Sequence, residues 1–159
     1  MVSDLHLGTR LQRDVLRHPA ALGALLDALD GVERLVLLDD VVELLEGRAV
    51  EAMAAAEPVL RAVGARLGSE REAILVPGNH DATLVRSWAR AQGASLAIDA
   101  PVPLDATPLL ARVTSWLAPA SVRVHYPGVW LSERVWATHG HYLDRHLLPE
   151  VAYLSLIHI

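Results

Sequence analysis

The chain has 159 residues, 52% hydrophobic and 21% charged, which suits one domain with a substantial core and excludes a disordered chain. Its formal net charge is -5 at pH 7, so no basic face for nucleic acid is expected, and the absence of cysteine excludes disulfides and thiolate metal sites. Any metal must be held by His, Asp, Asn or Glu. No apolar run approaches the ~18 residues that suggest a membrane-spanning helix. No basic-then-apolar leader opens the sequence, so a cytoplasmic protein without a membrane span is expected.

Only Val2 and Ser3 separate Met1 from Asp4, fewer than the about five residues of a typical strand. An incomplete N-terminus is therefore expected. Asp4 and His6 stand two residues apart. On an extended chain such residues face the same way, so a carboxylate and an imidazole could grip one cation. The same pair is also common in solvated loops. Gly8 then permits a tight turn. Leu22, Leu25, Leu26 and Leu29 recur on one helical face and predict a helix over 14–29, ended by Asp30-Gly31.

Residues 35–38, Leu-Val-Leu-Leu, predict a strand buried on both faces. It ends at Asp39-Asp40, where the two oxygens of Asp40 could bridge two cations about 3.5–4 Å apart. Leu60, Val63 and Leu67 predict a second helix over 50–67, with Pro58 as a kink or a fresh start. Ile74-Leu75-Val76 predicts another buried strand, stopped by Pro77-Gly78.

Gly78-Asn79-His80-Asp81 follows that strand. Asn79 offers a neutral carbonyl oxygen to a metal. His80 could act as general acid for a leaving alkoxide, a role that the imidazole group commonly fills. Asp81 could orient His80 or accept its second N–H. Taken alone, the tetrapeptide also reads as a helix-capping turn. A third helix is predicted over 83–91. The alternation of strand and helix predicts an α/β fold with a largely parallel sheet and functional loops at the carboxyl ends of its strands.

Residues 94–120 hold four of the nine prolines and are expected to form an insertion or lid with one short helix over 109–117. Residues 122–126 and 134–137, around Pro127-Gly128, predict a hairpin or paired strands. His139-Gly140-His141 comes next. His139, nearest the strand end, is the candidate metal ligand, and His141 could contact substrate or solvent. Arg10 could hold a substrate phosphate bidentately, or simply lie on the surface. A single domain over 1–153 is expected.

These four blocks, in this order, resemble the calcineurin-like metallophosphoesterases over residues 1–148. The opening Ser-Asp-Leu-His-Leu-Gly is similar to the branch containing the UDP-2,3-diacylglucosamine pyrophosphatases. The resemblance implies a layered α/β-β-α sandwich and a hydrolase acting on a small phosphorylated substrate. The bond cleaved would be a phosphomonoester, phosphodiester or pyrophosphate, attacked by a water activated by two divalent cations. Mn, Fe or Zn suit the mixed nitrogen and oxygen donors. By the same resemblance, Asp4 and His6 hold the first cation, Asp40 bridges, and Asn79 and His139 hold the second. His80 assists the leaving group.

The chain departs from that pattern in three places. The branch carries Arg where His80 stands. The family's Gly before the bridging Asp is Asp39 here, which adds a negative charge beside the metals where a Gly would allow positive φ or close approach. The closing Gly-His-x-His block is absent, since Gly140-His141-Tyr142-Leu143 only begins like it. The C-terminus is therefore expected to be incomplete. Residues 154–159 read as CTG-TCT-CTT-ATA-CAC-ATC, a transposase adapter, and are expected to be an adapter-derived tail rather than an apolar strand. Two other readings stand beside the enzyme: a catalytically degenerate metal-binding or scaffold domain, and a domain holding one metal through the first block alone.

Overall fold

Apolar runs and helical faces resolve into a chain order of β1 (Val2–Ser3), α1 (Pro19–Ala28), β2 (Arg34–Leu38), α2 (Ala49–Leu67), β3 (Glu72–Val76) and α3 (Arg86–Gln92). There follow β4 (Ala100–Pro101), α4 (Pro108–Ser115), β5 (Ser121–Tyr126), β6 (Gly128–Ser132) and β7 (Val135–Thr138). The structure, a computed structural model, describes residues 1–10, 13–140 and 142. His141 and residues 154–159, read above as a substrate contact and a tail, lie outside the described residues.

The main sheet has the order β1-β2-β3-β5-β4. Its first four strands are parallel, with Val2 opposite Leu37 and Leu37 opposite Leu75. β4 is antiparallel to β5. The protein is thus a mixed α/β fold with a mostly parallel central sheet, as the alternation of strand and helix predicts.

Strand periodicity sorts the core into two sides. Leu35, Leu37, Ala73, Leu75 and Val124 point toward the helices and pack with Ala52, Ala56, Leu60 and Val63 of α2 and with Leu110 and Val113 of α4. Val36, Leu38, Ile74 and Val76 point the other way and pack on Val129 and Ala137. Those two residues belong to a separate antiparallel ladder, β6-β7. The layers are therefore helices, main sheet, and two-stranded ladder. Leu37, Leu60, Leu75 and Leu110 are fully buried, each worth about 1.5–3 kcal/mol relative to exposure.

Several local expectations change. The helix over 14–29 begins only at Pro19, after a 3-10 turn at Val15–Arg17. Proline disfavours helical geometry in the residue before it and is itself at home in the first turn. His18 is accordingly extended. α2 runs unbroken through Pro58. Pro58 and Ala54, whose carbonyl loses its helical donor, both lie on the exposed side, where water can serve that carbonyl.

Residues 94–120, expected as an insertion or lid, place Val102, Leu110, Val113, Trp116 and Leu117 in the main core. α2 approaches this segment closely: a Cβ on Gly64 would lie 2.7 Å from Leu117 Cα. The expected pairing of 122–126 with 134–137 does not form. β5 joins the main sheet, and the hairpin is β6-β7, which turns at Glu133-Arg134. Among the described residues no helix is long and apolar enough to cross a membrane.

Candidate metal centre

Each of the four sequence blocks follows the carboxyl end of a strand: Asp4 after β1, Asp39 and Asp40 after β2, 78–81 after β3, and His139 after β7. Backbone hydrogen bonds draw the loops together. His6 N donates to Asp40 O at 2.8 Å, Leu7 N to Val41 O at 3.0 Å, and Glu43 N to Leu7 O at 3.0 Å. The loop after β1 therefore runs beside the loop after β2, anchored by the fully buried Leu7.

Asp81 ties in the third loop. It is fully buried, and its Oδ2 accepts from Val41 N at 2.9 Å and Val42 N at 3.3 Å, while Oδ1 accepts from Gly78 N at 2.7 Å. Gly78 is required by close approach: a Cβ there would collide with the Asp40 carboxylate and lie 2.8 Å from Asp40 N. Asp4, His6, Asp39 and Asp40 all have positive φ, of 55°, 43°, 63° and 35°. For non-glycine residues this costs on the order of 1–3 kcal/mol each, held in place by the surrounding packing.

The side chains converge in two groups whose donor atoms lie within metal-binding reach of one another: Asp4, Asp40 and His139, and His6, Glu43 and His80. Asp40 lies between them. Its Oδ2 is 3.4 Å from His139 Nε2 and 3.9 Å from His6 Nε2, and its Oδ1 accepts from His80 N at 2.8 Å. Glu43, only 2% exposed, presents Oε2 to His6 Nδ1 at 3.0 Å and His80 Nδ1 at 2.7 Å. Its Oε1 accepts from Leu45 N and Glu46 N. A carboxylate acceptor calls for a proton on each Nδ1, which leaves Nε2 of His6 free as a donor to metal. The His6 and His80 rings meet edge to face at 4.7 Å.

The electrostatics follow from this packing. Burial alone would raise the Asp40 carboxyl, but His139, the His80 N–H and the nearby histidine charges hold it below its ordinary value. Burial likewise opposes Glu43, yet bonds from His80, the Glu46 N–H and His6 keep it low. Burial would lower His139, and the bond to Asp40 with the charges of Asp39, Asp40 and Asp4 raises it instead. Asp39 is pushed up to about 6, first by burial, then by Asp4 and Asp40 against the pull of His139. Burial and the Asp40 charge push Asp81 up to about 7, against three backbone donors that favour the anion.

The structure brings together Asp4, His6, Asp40, His80 and His139 at the loop cluster. Asp4 and His6 both have positive φ, so the extended alternation that would put them on one face is not present. They fall into different groups. Asp81 does not orient His80: its oxygens are engaged by backbone N–H groups, and the partner of His80 is Glu43. Sequence reasoning missed Glu43. Its signal was a lone carboxylate in the otherwise apolar Val41-Val42-Glu43-Leu44-Leu45.

Asn79 is half-buried between Gly78 and His80. Arg10 is exposed, with its Cγ against Gly47. The arginine lining the cavity of about 580 Å³ beside Asp4 and His6 is Arg13. Asp39 is buried, and among the described residues its Oδ1 has no hydrogen-bond partner. Carboxylates, imidazoles and an orphaned buried oxygen suit divalent cations of intermediate hardness.

No protein-family model, no curated protein and no solved structure matches this chain.

Proposed function

We propose that this protein is a metal-dependent phosphoesterase of the calcineurin-like kind, hydrolysing a monoester, diester or pyrophosphate bond in a small phosphorylated substrate. The observation that carries the reading is the placement of Asp40 Oδ2 between the Nε2 atoms of His139 and His6. That is where a carboxylate shared by two cations belongs. The layering of helices, sheet and two-stranded ladder supports the corresponding sandwich fold.

The residues that would hold two divalent cations (Mn, Fe or Zn) are Asp4, His6, Asp40, Asn79 and His139, with Asp40 shared. Such cations supply an activated water and offset the charge of the phosphate oxygens. Glu43 fixes the rings of His6 and His80 through their Nδ1 atoms. His80, held by Glu43 at Nδ1, would serve as general acid through its Nε2 toward the leaving oxygen. Asp81 and Gly78 keep Asp40 in place.

The second reading, a catalytically degenerate metal-binding or scaffold domain, draws on Asp39, a carboxylate that would repel an incoming phosphate. One assay separates the two: Mn²⁺-dependent hydrolysis of p-nitrophenyl phosphate and bis-p-nitrophenyl phosphate, with Asp40→Asn as control. Turnover lost in the control supports the enzyme, and the preferred ester gives its class. A folded, metal-loaded protein with no turnover leaves the degenerate domain.

A further inference from the structure

Glu43 sits beneath the loop cluster with its two carboxylate oxygens turned to different tasks. Oε1 accepts from Leu45 N at 3.1 Å and Glu46 N at 2.8 Å, which fixes the carboxylate in place. Oε2 faces the cluster, and two imidazoles converge on it, His6 Nδ1 at 3.0 Å and His80 Nδ1 at 2.7 Å. The Glu43 side chain is 2% exposed and those of His6 and His80 are 32% and 22% exposed, so a buried carboxylate lies under an accessible rim of two rings. The rings stand at 89° to each other, and the donor atoms of the three residues lie within 4.8 Å of one another. A tetrahedral cation about 2.0–2.2 Å from each donor sets neighbouring donors roughly 3.4 Å apart. Opening the two contacts by about 0.4–0.7 Å would therefore admit one. Asp40, whose Oδ2 is 3.9 Å from His6 Nε2, adds a second carboxylate beside that space.

We propose that His6, Glu43 and His80 form a zinc site of their own, with Nδ1 of each ring and Oε2 of the carboxylate as ligands and the fourth position open to solvent. Two imidazoles and one carboxylate are a donor set that zinc takes in tetrahedral sites with an open position. The neighbouring group, Asp4, Asp40 and His139, has two carboxylates and one imidazole, which suits harder ions such as Mn²⁺. The two groups therefore differ in the cation they select. In the metal-free protein the ring protons on Nδ1 bridge to Glu43. Zinc takes their place, and the two protons pass to solvent. The inference does not depend on the hydrolytic reading, in which His6 ligates through Nε2 and Glu43 only holds the rings.

The test uses the full chain, stripped of metal, with one equivalent of Zn²⁺ added and no substrate present. Long-range ¹H–¹⁵N imidazole spectra of the wild type show which ring nitrogen binds, and competition with a chromophoric chelator gives the affinity. Zinc should shift Nδ1 of both His6 and His80 and leave their Nε2 atoms unbound. Loss of even an outer partner lowers metal affinity about 10–100-fold, so His80→Ala or His80→Gln, whichever melts as a folded protein, should weaken zinc at least about tenfold, while Asp4→Asn leaves it within about twofold. Mn²⁺ should show the opposite dependence. A wild type that binds no zinc, zinc on Nε2 of His6, or zinc affinity that falls with Asp4→Asn and not with the His80 variants would overturn the assignment. The wild-type spectra decide the matter even where neither variant folds. Turnover of the nitrophenyl esters is scored separately. Zinc on both Nδ1 atoms with no Mn²⁺-dependent turnover keeps this site and removes the hydrolase. Mn²⁺-dependent turnover with no zinc on Nδ1 does the reverse.

Discussion

Replacing Glu43 by glutamine should disable the centre while leaving the fold in place. Glu43 Oε1 accepts from Leu45 N at 3.1 Å and Glu46 N at 2.8 Å, and Oε2 faces two imidazole Nδ1 atoms at 3.0 and 2.7 Å. An amide has one acceptor oxygen and one NH₂ donor. With the oxygen kept on the backbone side, the NH₂ faces both Nδ1 atoms, which must then accept. Flipping the amide instead opposes its NH₂ to two backbone N–H groups, at about 1–3 kcal/mol each. The first arrangement wins, and the ring protons move to Nε2. His6 then points a proton at Asp40 and cannot ligate through that atom. Hydrogen bonds to charged groups contribute about 1.5–3 kcal/mol each; the new N–H···N bonds recover part of this, so a net destabilisation of about 2–3 kcal/mol is expected. Loss of such an outer partner lowers metal affinity about 10–100-fold, or roughly 1.4–2.7 kcal/mol. Mn²⁺ titration gives the affinity, and long-range ¹H–¹⁵N imidazole spectra of the metal-free protein give the tautomers. A variant with wild-type affinity and both protons still on Nδ1 would refute the reasoning.

Asp81→Asn is expected to cost about 1–3 kcal/mol in urea unfolding, because one of the sites accepting from Gly78, Val41 and Val42 becomes a donor. Unchanged stability with an altered pH–rate profile would instead place Asp81 in service of His80. Gly78→Ala should displace Asp40 and weaken Mn²⁺ binding at least tenfold, since the new methyl meets that carboxylate; affinity within twofold of wild type would show that the loop yields freely. The metal-free protein should lose stability as pH rises from about 5 to 8. Asp39 and Asp81 are raised from 3.8 to about 6 and about 7, so across that interval the native state holds protons that the unfolded chain has released. His139 is raised above 6.5 and contributes fully below that pH, then loses its contribution as pH passes its folded value. Asp40 and Glu43 are depressed and weaken the fold only at more acidic pH. The slope is at most about 1.4 kcal/mol per pH unit per group, and a melting temperature that is flat or rising over the interval would contradict this account.

Continuous apolar runs such as 35–38 and 74–76 read as strands buried on both faces, and the turn residues after them marked where loops begin. Those local signals were enough for the α/β order and for placing Asp4, Asp40, His80 and His139 at strand ends. They were insufficient where a choice depended on distant partners. Residues 122–126 suit a hairpin as well as a central strand, and only the free edge of β3 decided between them. Glu43 and Asp39 are both carboxylates just past the same apolar strand, Glu43 between Val42 and Leu44 and Asp39 between Leu38 and Asp40. Tertiary packing separated them, surrounding Glu43 with four donors while, among the described residues, Asp39 Oδ1 has no hydrogen-bond partner. The sequence by itself determined that Asp4, His6, Asp40, His80 and His139 arrive at the loop cluster, because strand length and turn chemistry are local, but not that Glu43 joins them. Only the tertiary structure decided which of them face one another, because positive φ at Asp4, His6, Asp39 and Asp40 redirects each side chain in ways that residue spacing does not encode.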